Sequence, residues 1–99
     1  MIKYLEKEED FKELTKERCL VDFYADWCGP CHMIGEVIEE LVKEDENLTV
    51  IKVNTDKFAE ISLKMGVMSI PALFVMENGV EVKKAVGYKT LDDLKEFIK

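Results

Sequence analysis

No run of lysine or arginine is longer than the pair Lys83-Lys84, and the formal net charge is −7, from 14 basic against 21 acidic residues. Proteins grip nucleic acid by neutralising phosphates with clustered cations, so this balance argues against nucleic acid as the main partner. No apolar stretch approaches the roughly 20 residues that cross a bilayer, so no membrane association is expected. The opening residues Met1-Ile2-Lys3-Tyr4-Leu5-Glu6-Lys7-Glu8 hold no apolar signal core, and a cytoplasmic location is expected. Proline occurs only at Pro30 and Pro71, histidine only at His32 and tryptophan only at Trp27. The three cysteines are an odd count, which argues against a structural disulfide framework. In a reducing compartment, paired cysteines are more often catalytic or metal-binding. Residues 1–99 show no repeat, low-complexity tract or linker, so a single domain is expected, and 47% hydrophobic residues suffice for a core.

What is present alternates strand and helix. Ile2 to Leu5 reads as a short strand, and Phe11 with Leu14 as a short amphipathic helix. Leu20 to Ala25 is nearly all apolar, as expected of a strand covered by helices on both faces. From about Pro30 to Lys43, the apolar residues Met33, Ile34, Val37, Ile38, Leu41 and Val42 fall on one helical stripe. Leu48 to Val53 reads as a strand. Asp56 is suited to cap a short helix carrying Phe58, Ile61 and Met65, with Gly66 at its end. Asn78-Gly79 separates the strands Ala72 to Met76 and Val80 to Val86, a signal for a tight antiparallel hairpin. Thr90 with Asp93 resembles a capping box ahead of Leu91, Leu94, Phe97 and Ile98. The order β-α-β-α-β-α-β-β-α predicts an α/β fold: a mixed sheet of about five strands flanked by four helices.

Between the apolar strand and the long helix stands Trp27-Cys28-Gly29-Pro30-Cys31. Cys28 falls at or just before the first helical turn, where free N–H groups and the helix dipole stabilise a thiolate. The thiolate is the form that attacks a disulfide. Cys31, three residues on, lies on the same face with Cβ atoms about 5–6 Å apart, so a small adjustment closes a bond between them. Pro30 suits a helix start, and Gly29 leaves the approach to Cys28 open. Alternation puts Asp22 on a face with Leu20 and Tyr24, where burial should raise its pKa above the ordinary value of about 3.9. Cys19 shares the other face with Val21 and Phe23 and reads as a small buried hydrophobe.

The run from Val21 to Cys31 resembles the thioredoxin family. Further matches lie at Lys52-Val53-Asn54-Thr55-Asp56, Ser69-Ile70-Pro71-Ala72, Asn78-Gly79 and Gly87. Cys-x-x-Cys alone is a weak motif, but WCGPC after a buried strand, with Ile-Pro some forty residues later, is a strong one. The resemblance implies a thioredoxin fold and a protein-disulfide reductase with no bound cofactor, working through a redox-active Cys28–Cys31 disulfide. It makes Cys28 the attacking cysteine, Cys31 the resolving one and Asp22 a buried carboxylate that relays the Cys31 proton. Lys52 would lie near that carboxylate. Pro71 would follow a cis bond, Ile70 would offer backbone to a bound peptide, and Trp27 would form part of the docking surface. The implied partners are an NADPH-dependent thioredoxin reductase and disulfide-containing proteins, such as peroxide- and methionine-sulfoxide-reducing enzymes or ribonucleotide reductase. A monomer maintaining cytosolic redox balance is expected.

The sequence departs from the family pattern at three places. His32 follows the second cysteine, where a lysine or another residue is usual; histidine titrates near physiological pH and, when charged, would favour the Cys28 thiolate. Gly35-Glu36 replaces a pair that often holds a kinking proline, and Gly35 costs about 1 kcal/mol relative to alanine. Cys19 is an extra thiol. Two other chemistries use the same residues. Cys-Gly-Pro-Cys-His also spells the haem attachment sequence, but a buried strand precedes it. Cys19, Cys28, Cys31 and His32 could be four zinc ligands, but three crowd into one turn while closed sites take separated pairs. A binding scaffold with incidental redox activity is a further reading.

Overall fold

The computed structural model describes residues 1–99. Along the chain run β1 (Ile2–Tyr4), α1 (Asp10–Leu14), β2 (Cys19–Tyr24), α2 (Gly29–Glu44), β3 (Val50–Asn54), α3 (Ala59–Lys64), β4 (Ala72–Glu77), β5 (Val80–Val86) and α4 (Leu91–Phe97). The element order is the one expected. The five strands form one sheet in the order β1-β3-β2-β4-β5. β1 and β2 pair parallel to β3, while β4 runs antiparallel to both β2 and β5.

Each face of the sheet carries its own core, because successive strand residues point to opposite sides. Cys19, Val21 and Phe23 of β2 join Ile51, Val53, Phe74 and Ile61 on the face covered by α1 and α3. Leu20 joins Val50, Leu73, Ile34, Ile38, Leu41 and Leu94 on the face covered by α2 and α4. In α2 the buried positions are Cys31, Ile34, Ile38 and Leu41. That spacing gives a narrower stripe than the sequence pattern predicts. Met33 stands off it and is exposed, and Val37 and Val42 are only partly buried.

Several boundaries differ from expectation. β2 begins at Cys19 and ends at Tyr24. β3 starts at Val50, because Leu48 is taken up in a turn in which its N–H bonds the Asp45 carbonyl. Asp56 does not cap α3. The residue before that helix is Phe58, which makes no side-chain cap bond. Asn54 supplies the local turn instead, its side-chain oxygen accepting from the N–H groups of Asp56 and Lys57. Thr90 does cap α4, accepting from the Asp93 N–H at 3.2 Å. Asn78 and Gly79 both take positive φ, 57° and 76°, as the tight hairpin turn between β4 and β5 requires. No helix is long and apolar enough to cross a membrane.

Candidate active site

The sheet brings the chemistry to one end. β2 runs out of the core at Tyr24, and the chain turns through Asp26 and Trp27 into α2. Cys28 is the N-cap of α2, with extended backbone, and Pro30 lies in the first turn. The Cys28 sulfur accepts a hydrogen bond from the Cys31 N–H at 3.2 Å, so the sulfur does the capping that an oxygen usually does. The first turn of α2 holds no acidic residue to occupy the positive end of the helix dipole. A thiolate formed at Cys28 therefore meets unshared N–H groups and no competing carboxylate.

Cys28 and Cys31 are joined as a disulfide with Cα atoms 5.2 Å apart. Both residues are nearly buried, 5% and 3% exposed, so accessibility alone does not distinguish them. They differ in what they face. Cys28 lines a groove of about 560 Å³ with Trp27, Pro30, Val67, Met68 and Ile70. Cys31 lines a separate cavity of about 360 Å³ that also holds Lys52 and His32. The Cys28 sulfur lies 3.9 Å from the Ile70 carbonyl oxygen, and the Ile70-Pro71 peptide bond is cis, as the resemblance implied. A Cβ added at Gly29 would meet nothing within 4 Å, so the approach to Cys28 is open there.

Trp27 is 72% exposed. Its indole Nε1–H donates to the Asp56 carboxylate at 3.0 Å. This fixes the ring at the groove rim and gives Asp56 a role that the helix-cap reading missed. The register held the signal, since Tyr24 pairs with Asn54, which sets Trp27 and Asp56 at the same end of adjacent strands. His32 is exposed, and its Nε2 lies 2.6 Å from the Asp26 carbonyl. With a proton on that nitrogen, the ring ties the first turn of α2 back to the loop before Cys28.

Asp22 is fully buried, and neither carboxylate oxygen has a hydrogen-bond partner. Burial pushes its pKa up to about 6, with Lys52 pulling in the opposite direction. The Lys52 ammonium stands 3.5 Å from the carboxylate, an ion-pair contact longer than a hydrogen bond. Asp22 and Lys52 are paired residues across β2 and β3, which accounts for the approach. Cys19 is buried on the opposite face of the sheet, among Val21 and Phe23, and burial raises its thiol pKa to about 11. The four residues weighed as zinc ligands do not converge, and no group of three or more His, Cys, Asp or Glu side chains is placed to hold a metal ion.

A disulfide-forming pair of cysteines three residues apart at a helix start, with an open groove beside a cis-proline, marks a thiol–disulfide oxidoreductase of the CGPC type. The thioredoxin family model matches residues 2–99, and the chain belongs to the thioredoxin family. It is 42% identical to thioredoxin of Bacillus subtilis over 93 residues, covering 92% of this chain and 89% of that one. It is 36% identical to thioredoxin of Mycoplasmoides gallisepticum over 85 residues, covering 86% and 85%. Among solved structures it resembles oxidised thioredoxin from Plasmodium falciparum, with a TM-score of 0.85 and 32% identity, covering 99% of this chain and 95% of that one.

Proposed function

We propose that the protein is a protein-disulfide reductase, returned to its dithiol form by an NADPH-dependent thioredoxin reductase. Its working unit is the single domain of residues 1–99, acting as a monomer in the cytosol. The observation that carries this reading is the Gly29-Pro30 dipeptide between two cysteines at a helix start. Within the family, that dipeptide resembles the reducing members.

Each residue takes one step. The Cys28 thiolate attacks one sulfur of a substrate disulfide. The substrate S–S bond breaks, its other sulfur leaves as a thiolate that takes up a proton, and a Cys28–substrate mixed disulfide forms. Cys31 then gives up its proton and attacks the Cys28 sulfur. The second substrate thiolate departs, and the Cys28–Cys31 disulfide remains. Two electrons have passed from the protein dithiol to the substrate. Asp22 is the acceptor for the Cys31 proton: a carboxyl with its pKa near 6 is ionised at neutral pH yet basic enough to hold a proton briefly. Lys52 links it to the cavity that Cys31 lines. Trp27, Pro30 and Ile70 seat the substrate segment. The Ile70 carbonyl pairs with its extended backbone, a mode in which main-chain bonds supply affinity. Gly29 and His32 tune access and the charge near Cys28.

The disulfide proteins reduced would include peroxide- and methionine-sulfoxide-reducing enzymes or ribonucleotide reductase. The test is NADPH-coupled reduction of insulin with a thioredoxin reductase from the same source. Rapid NADPH consumption with the parent protein, and none with Cys28→Ser, is the expected result. A Cys28→Ser, Cys31→Ser double variant that kept the protein's cellular role would instead favour a scaffold.

A further inference from the structure

Lys52 is the cation that acts on the buried Asp22, and it stands between that carboxylate and an acidic cavity. Its ammonium lies 3.5 Å from Asp22, which has no hydrogen-bond partner. It also lines the cavity beside Cys31, whose wall carries Asp26, Glu36 and Glu39 together with His32. Lysine has a long flexible stem, and the cavity that Lys52 lines carries three carboxylates besides the buried one. Two aromatic rings also attract it. The ammonium sits 5.0 Å from the centre of the Tyr24 ring and 5.7 Å from that of Tyr4, both within the range of cation–π attraction. The rings brace each other edge to face, with centroids 6.3 Å apart. The sheet sets this up by register, since Tyr4 pairs directly with Lys52 and Lys52 with Asp22. On the α2 side the ammonium is flanked by Gly35, where a Cβ would make ordinary contact with it at 3.5 Å.

We propose that Tyr4 and Tyr24 are positioning residues that hold the Lys52 ammonium against Asp22 and away from the acidic cavity mouth, and so set the proton affinity of the residue that serves Cys31. This rests on the Asp22 relay described above. Tyr24 also packs against the cluster of Ala25, Cys28 and Cys31, whereas Tyr4 is not part of it, so Tyr4 gives the cleaner test of an effect carried through Lys52. Much of the Tyr4 ring is open to solvent, and Tyr4 lies on an edge strand, so its replacement leaves the core intact.

The test is carboxyl NMR titration of Asp22 in the oxidised protein. In Tyr4→Leu and Tyr24→Leu, the Lys52 charge is no longer held in place. The Asp22 midpoint should then rise by roughly half a pH unit or more. Tyr4→Phe keeps a ring and should titrate like the parent, and Tyr4→Leu in a Lys52→Met background should change nothing further. An unmoved midpoint in both leucine variants, a shift shared by Tyr4→Phe, or an equal shift without Lys52 would each overturn the proposal. The relay is judged separately, by stopped-flow resolution of the mixed disulfide in Asp22→Asn. A parent-like rate there would refute the relay as the use of this charge, while the titration still decides whether the rings hold Lys52.

Discussion

At the scale of single residues, the site rests on one carboxyl group in the wrong solvent. The folded Asp22 pKa, about 6, is above its unfolded value near 3.8. Between those values the folded state holds more protons than the unfolded chain, so stability falls as pH rises through that window and stays low above it. Asp22→Asn removes this titration. In urea unfolding of the oxidised proteins, its stability gain over the parent should be about 2 kcal/mol larger at pH 8 than at pH 4. An equal change at both values would mean that Asp22 does not titrate as a buried acid. The burial of Asp22 and the pairing of Cys28 with Cys31 were legible from local chemistry, while the cis bond before Pro71 was legible only through the family resemblance. The Trp27–Asp56 bond and the tyrosine pair around Lys52 were legible from neither. They depend on which residues face each other across strands, and a single sequence does not display register.

At the scale of elements, local rules were reliable where the partner is close in sequence. Thr90 caps α4, Asn78-Gly79 turns the hairpin, and Cys28 opens α2, all within four residues of what they bond. They failed where a tertiary contact competes. Asp56 has the chemistry of a helix cap, but the tryptophan N–H across the strand ends claims its carboxylate. Glu44 extends α2 one residue past the expected end near Lys43 and pairs with Lys95 of α4 at 2.7 Å. Met33 fits the apolar pattern of α2 by spacing but points off its buried stripe, since 3.6 residues per turn carry it away from Ile34 and Ile38. Gly35 offers a test at this scale. Alanine restores helix propensity worth up to about 1 kcal/mol. Its Cβ would make ordinary contact with the Lys52 ammonium at 3.5 Å. Gly35→Ala should therefore be more stable by about 0.5–1 kcal/mol in urea unfolding. A loss of stability would show that Lys52 needs the space which glycine leaves.

At the scale of the whole molecule, two cores lock one sheet from opposite sides, and the ends of β2 and β3 meet the start of α2 at a single pole. The division of labour follows from that arrangement. One cysteine lines a groove with an apolar rim, open to an incoming chain, while the other lines a charged cavity beside the buried carboxylate. The third cysteine is enclosed on the far face of the sheet, where its raised pKa keeps it a thiol. The direct test of this order of attack uses Cys31→Ser, which can form a mixed disulfide but cannot resolve it. The reduced variant is offered a disulfide protein, the stable adduct is digested, and the linked peptide is identified by mass spectrometry. The expected result is near-complete trapping with the substrate bound to Cys28. An adduct at Cys19, or no adduct while Cys28→Ser still traps substrate through Cys31, would contradict the assignment of Cys28 as the nucleophile.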